Sequence, residues 1–532
     1  MAVNTIGAGV ILNEGQIDVD FRVEGNSNAN VLFVDGSTDR VGIGTAIPDR
    51  LLHLHTGTAG TITGHANAPI VLETAGDTNI QLLSPNSADQ FILFGSNSGN
   101  RTYIQVDLSA TAANESFQIY TNSALAFKLD SNSRISLSNN DGGTYNTVFG
   151  KLAGAALASG GDGNLFIGEN AGNDVTTADY NIAIGYQAFS QATDDCDKNI
   201  AIGVSAMSGN IGSNDVSECV AIGHEAMDAV LTSGATGTVG IGYHALTLLT
   251  GGTKNTAIGY ETLAAVAGNS EHTAVGYQAL KVCDGNDGNT AIGSMAGTAI
   301  TSGSSNVIVG ANAADAMTDG ASNVAIGQDA IGASTSVANS VAIGRGAMSQ
   351  ANVLVGANGS VAIGYFALGN ITSGANNVAV GINALVANTT GHENTAVGRN
   401  TLDACVDAAG NTAMGESALT TNVSGANNTA VGANALNNTT VANNSGFGQG
   451  SGGSISTGAD NTCIGFLAGN YENQLTTGGS STVIGAYART SAAGVSGEIA
   501  IGRYVLAQGA STATLGVNGS GVSIAIDNST TT

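Results

Sequence analysis

The chain has no tryptophan, 3 prolines, 5 cysteines and only 14 basic residues among 532, and each shortage removes a class of reading. With 12 Phe and 12 Tyr as the only large rings, aromatic anchors are too sparse for the three or four globular cores that this length would ordinarily fill. The cysteines (Cys196, Cys219, Cys283, Cys405, Cys463) are too few for a disulfide framework, and none stands in a Cys-x-x-Cys or zinc-like spacing, so free structural thiols are expected. The net charge is −26, and no Lys/Arg cluster exists that could neutralise a phosphate backbone. That excludes a nucleic-acid groove and disfavours attachment to an anionic membrane by charge. No run approaches the roughly 18 apolar residues that cross a bilayer. The start, Met1-Ala2-Val3-Asn4, lacks a basic segment leading into an apolar one, so cytoplasmic synthesis without a secretory signal or membrane insertion is expected. Abundant Gly with little charge also fits disorder, but disordered chains lack β-branched residues at regular intervals, and this chain has them.

What is present in excess is glycine, 77 residues, and much of it belongs to a repeat. Asn255 to Leu263 reads NTAIGYETL, and NTAIGSMAG, NTAVGRNTL and NTAVGANAL begin at Asn289, Asn394 and Asn428. Anchored on the Gly, the series runs from Gly150 to Gly502 in 21 units with steps of 16 to 20 residues, and the steps from Gly242 to Gly344 are all 17. An apolar residue precedes the anchor (Ile258, Ile292, Ile326, Val397), most often with Ala before it, and Asn stands four before it in 14 of the 21 units. Ala and Leu or Met follow three and four after it, as in Ala245-Leu246 and Ala279-Leu280. Two short apolar runs split by a Gly turn predict two short strands per unit, while the Gly, Asn and Thr content argues against helix. A unit this small buries no apolar face alone, so neighbours must stack into a β-solenoid. At about 4.8 Å per coil the stack would be on the order of 100 Å long. Equivalent residues would then form axial ladders: Asn255, Asn289, Asn323 and Asn394 an amide ladder, Ile258, Ile292, Ile326 and Val397 an apolar one, and Gly259, Gly293, Gly327 and Gly398 the turn. The Ala-Leu pair is expected to add a second apolar stripe that an isolated solenoid would expose, which calls for an oligomer to cover it.

This phrase resembles the head of trimeric autotransporter adhesins, a left-handed parallel β-roll, and is still more similar to the NTAIGY-type repeats of phage and cyanophage fibre proteins. The unit is longer than the adhesin's, and the signal peptide and C-terminal anchor barrel of that family have no counterpart. Between Asp20 and Leu54, DFRVEG and VLFVDGSTDRVGIGTAIPDRLLHL are similar to a phrase of phage tail-fibre and appendage proteins. The resemblance implies an all-β virion fibre, without enzymatic activity or cofactor, made in the host cytoplasm and assembled as a homotrimer. It would join other virion proteins through its N-terminal segment and contact a host cell-surface glycan or protein. The expected divisions are residues 1–55 as the attachment segment, 56–145 as a small β-sandwich-like module, 146–516 as the solenoid and 517–532 as a tail. Alternating stretches at Tyr103 to Leu108, Phe117 to Tyr120 and Ala124 to Leu129 read as antiparallel strands of the module. A bacterial surface adhesin or filament, and a polysaccharide depolymerase, are the alternatives.

Residues that could carry chemistry are few. His53 and His55 share one face of an expected strand, and three copies would bring six imidazoles together. Against that metal reading stands a stacked or solvated pair. Asp162-Gly163-Asn164 and the loop from Asp284 to Asn289 resemble calcium loops in composition, yet they are also ordinary turn formers. Tyr243, Tyr260 and Tyr277 follow successive anchors and should stack into a ring ladder, a possible receptor-contact edge. Paired carboxylates for glycan cleavage would have to be Asp194 with Asp195 or Asp284 with Asp287. His224, His244, His272 and His392 fall in different units without a recurring acid and nucleophile, so no catalytic or metal residue is assigned.

Overall fold

The computed structural model describes residues 5–6, 9–10, 20–55, 70–73, 90–95, 101–107, 116–121, 124–130, 135–136, 524–527 and 143–517, the last without 212–213, 285–286 and 350–356. Gly285 and Asn286 of the second acidic loop, Leu108, and all of 517–532 except Val517 and 524–527 lie outside these residues. The protein is all-β, a small N-terminal sheet followed by a long parallel β-solenoid, with one short 3-10 turn, Ser233–Ala235, among the described residues. It divides into two compact units, Met1–Phe94 with Tyr103–Phe117, and Gly95–Thr102 with Gln118–Thr532.

In the first unit Phe21–Val23, Leu32–Asp35, Arg40–Ile43, Leu52–His55 and Ile70–Glu73 form one sheet in chain order. The first two pairings are antiparallel and the last two parallel. Sequence explains the tight turn from Asp35 to Arg40. The Asp35 carboxylate accepts the Ser37 and Thr38 N–H groups at 2.9 and 3.2 Å, and its pKa is lowered by these bonds and by the two hydroxyls, the Ser37 hydroxyl above all. Because Leu52–His55 pairs with Ile70–Glu73, one sheet takes strands from both sides of residue 55. A further sheet runs Gln90–Gly95, Arg101–Asp107, Ser116–Thr121, Ala124–Asp130, Ile135–Ser136, with its last pair antiparallel.

From Thr147–Phe149 onward, each repeat adds a single strand to one 23-stranded sheet, in strict chain order. Thr256–Ile258, Thr273–Val275 and Thr290–Ile292 pair parallel with like opposite like, so that Ala257, Ala274 and Ala291 lie in line. At the C-terminal end the step from Gly502 to Gly516 is shortened to 14 residues, with the Gly516 N–H bonded to the Ile501 carbonyl, and Ile524–Asp527 folds back antiparallel on Thr512–Leu515.

The expected second strand of each unit is absent from the described coils. After the anchor the chain curls: Glu261 and Leu263 have φ of 49° and 50°, and Gln278 and Leu280 have φ of 53° and 49°. Left-handed residues alternating with their neighbours cannot extend. The turn still bonds axially, since Glu261 N–H donates to the Tyr243 carbonyl and Leu280 N–H to the Ala296 carbonyl, at 2.8 and 3.0 Å. The Ala-Leu pair also is not an exposed stripe. Ala279, Leu280, Ala245 and Leu246 are wholly buried beneath the middle strand residue of each coil. A corner seven residues after the anchor is filled by Leu249, Val266, Cys283, Ile300 and Met317, also fully buried. Among the apolar residues left partly in solvent are those just before the anchor, with exposures of 36% at Ile326, 43% at Ile292 and 44% at Met414.

Three polar columns tie the coils together, the first in the interior and the others toward the surface. Along the first, Asn306 N–H donates to Asn289 Oδ1 and Asn323 N–H to Asn306 Oδ1, each at 3.0 Å. The same side chains close their own coils, Asn289 Nδ2 donating to the Gly303 carbonyl at 2.7 Å and Asn306 Nδ2 to that of Gly320 at 2.8 Å. Asn255 and Asn394 do likewise with Asn269 and Ala408. Two residues earlier a second column runs the other way: Asp162 N–H donates to Asp179 Oδ1 and Asp179 N–H to Asp197 Oδ1, at 2.6 and 2.7 Å. Threonine hydroxyls make the third, Thr301 Oγ1 donating to the Thr318 carbonyl and Thr318 Oγ1 to that of Thr335. One member of the Asn column is His272, fully buried, whose Nδ1 accepts Asn289 N–H at 3.2 Å. Its pKa is lowered, chiefly by burial.

Two predictions follow from this geometry. Gly293 has φ 143° and a Cβ there would run into the Gly310 carbonyl oxygen, so Gly293→Ala should destabilise by about 3 kcal/mol or more, whereas relieving the β-branched Ile331 at φ 56° with Ile331→Leu should stabilise by about 1 kcal/mol; urea midpoints measure both. Because the unfolded chain takes up a proton at His272 that the folded chain resists, the stability carried by the neutral ring is present above the ordinary imidazole pKa of 6.5 and lost as pH falls below it. His272→Asn should flatten the fall in melting temperature between pH 7 and 5; an unchanged slope would refute this origin.

Candidate functional site

The strongest side-chain constellation on the solenoid is built by register alone. Tyr243, Tyr260 and Tyr277 each follow an anchor Gly, and parallel stacking places their rings face to face, 5.0 Å apart at 11° and 5.5 Å apart at 16°. The stack is longer than expected. His224 follows Gly223 in the preceding coil and lies 5.4 Å from Tyr243 at 17°. Tyr260 and Tyr243 therefore each have rings on both sides, while the stack ends at Tyr277, where the next coil has Ser294, and at His224, where the preceding coil has Val204. The three tyrosines are 41–49% exposed, at their edges and hydroxyls. Burial and the neighbouring Glu261 raise the Tyr260 pKa. Glu261 itself is lowered, first by its bond from Lys281, whose Nζ lies 2.5 Å from Oε2. Counting positions from each anchor would have exposed His224, since it occupies the same place as the tyrosines.

A second aromatic group gathers in the last coils. Tyr487 and Tyr504 stack at 4.6 Å and 4°, with Tyr471 and Phe466 edge-on to Tyr487. Arg489 lies over the Tyr471 ring and pairs with Glu472 at 3.1 Å. Tyr487 and Tyr504 both stand two residues after their anchors, so the register stacks them, while Phe466 and Tyr471 come from other coil positions.

The other candidates resolve into structural work. His53 is 2% exposed, its Nδ1 accepts Asp49 N–H at 3.3 Å, and its ring meets His55 edge-on at 5.8 Å. Asp162 accepts Thr144 N–H and Asn164 joins the Asn column, so the first acidic loop spends these oxygens on neighbouring coils. Asp284 and Asp287 accept Ala267 and Ser270 N–H groups at 3.0 and 2.7 Å, and Asp194 accepts the Thr176 and Thr177 hydroxyls. In contrast to their separation in sequence, His224 and His244 come together, with Glu225 between them. His272 and His392 do not join them.

All five thiols are buried, and none is joined in a disulfide. Burial pushes Cys463 up to about 12 and Cys196 and Cys405 up to about 11, and raises Cys219. At neutral pH these are poor nucleophiles. An aromatic disulfide reagent should therefore find no fast-reacting thiol in the native protein and all five after denaturation. Fast native labelling would contradict the burial.

Among the described residues no helix is long and apolar enough to cross a membrane. No protein family, curated protein or solved structure matches this chain.

Proposed function

We propose that the protein is a structural and adhesive fibre of a phage virion, in which a homotrimer of solenoids projects from the particle and holds contact surfaces out to a host cell. The observation that carries this reading is the aliphatic outer face of an unbroken parallel sheet. Ile258, Ile292, Ile326, Ile363, Met414 and Ile464, each the last residue of its strand in this sheet, remain 36–44% exposed. Parallel sheets are ordinarily covered on both faces, and monomers rarely expose patches above roughly 300–600 Å². Packing copies of the chain along this face buries it without changing a coil. The similarity of the Asp20–Leu54 phrase to fibre proteins supports attachment through the N-terminal segment to other virion proteins. Tyr277 and the Tyr487–Tyr504 pair are surfaces suited to sugar rings, and several weak contacts on one particle add through effective concentration.

The test is immunogold imaging of purified virions with an antibody to this chain. Label on a projecting appendage is expected. Label absent from every appendage but present on washed, uninfected cells would replace the phage reading with a bacterial surface filament, and release of reducing sugar from host polysaccharide by the purified chain would replace it with a depolymerase.

A further inference from the structure

We propose that His224, Glu225 and His244 form a binding site for one divalent transition-metal ion, zinc by donor preference, that bridges two successive coils. The ligand atoms of the three side chains lie within 4.8 Å of one another. His244 Nε2 is 2.6 Å from Glu225 Oε2, and His224 Nδ1 is 3.8 Å from Glu225 Oε1. In a tetrahedral shell with ligand bonds of about 2.0–2.1 Å the donors stand about 3.3 Å apart, so side-chain rotations on the order of 1 Å complete the shell. Two imidazoles and one carboxylate with a fourth position open to water is a zinc donor set, and imidazole favours zinc, copper and nickel over magnesium and calcium.

The scaffold is what makes the cluster a site. His224 and Glu225 are the first and second residues after Gly223, and His244 is the second after Gly242, so the register of the sheet brings them together. The backbone is bonded at both places, His244 N–H to the His224 carbonyl at 3.1 Å and Glu225 N–H to the Val204 carbonyl at 3.0 Å. The Tyr243 ring stacks on His244 at 3.9 Å and on His224 at 5.4 Å, which fixes both imidazole planes. Asp228 interacts electrostatically with Glu225 and His224 and adds negative charge beside the site. His224 is exposed and the other two half-buried, which leaves a path for the ion and room for a water.

The test is calorimetric titration of the chelator-treated full chain with zinc chloride, in excess magnesium to mask the acidic surface, with cobalt substitution read by its visible spectrum. The wild type should bind zinc at this site, and His224→Ser and His244→Asn should each weaken that binding about 10-fold or more. Both replacements already occur at the same coil positions, as Ser294 and Asn312, so the variants should fold, which circular dichroism checks. A His53→Gln/His55→Gln variant should keep the site. Absence of zinc binding in the folded wild type would overturn the proposal, as would zinc binding and a cobalt spectrum unchanged in His224→Ser and His244→Asn, or lost only in the His53/His55 variant.

Discussion

Everything in the solenoid depends on one constraint: each coil must lie on the next with anchor glycine over anchor glycine. The carbonyl of one anchor occupies the space where a side chain on the neighbouring anchor would be, and the anchor φ values lie in a region that L side chains rarely adopt. Once that contact is made, the three strand residues pair with their counterparts, and so do the turn residues, whose N–H groups donate to carbonyls one coil away. With only three strand residues per coil, the axial bonds of the turns matter as much as the sheet. A shift by one residue would break both together and turn the buried Ala outward.

The same stacking explains how a narrow interior tolerates so much polarity. A buried amide is costly alone, but an Asn of the column such as Asn289 both accepts an N–H from the next coil and donates to the end of its own turn. The column accepts Thr238, Ser340, Ser360 and even Glu498, whose carboxylate takes the Ser491 N–H and hydroxyl. Apolar burial comes from Ala, one Leu-sized residue and a variable corner per coil, which leaves no room for indole. Longer units absorb their extra residues in loops, as between Gly465 and Gly485, while the strand pairing stays parallel and in register.

Position by position, the anchors, the Asn column and the Tyr stack were legible because register repeats them in the same chemical type. The corner filled by Leu249, Val266, Cys283, Ile300 and Met317 was not, because any residue of suitable volume serves there. The turn was misread for a different reason: Leu263 and Leu280 sit at positive φ, a conformation that the identity of the residue does not announce, and an apolar Ala-Leu pair beside a strand looks like more strand. His224, Glu225 and His244 form no recurring motif, because the group occurs across a single coil boundary, and only the register of the sheet brings it together. The functional consequence of the turn geometry is that the face needing cover moves from the Ala-Leu pair to the outward strand residues.

The most direct measurement is cryo-electron microscopy of the purified full chain. The account predicts a rod with an axial repeat of about 4.8 Å and a cross-section of three solenoids whose Ile258, Ile292 and Ile326 side faces the centre. A single solenoid in cross-section, with that face in water, would contradict it.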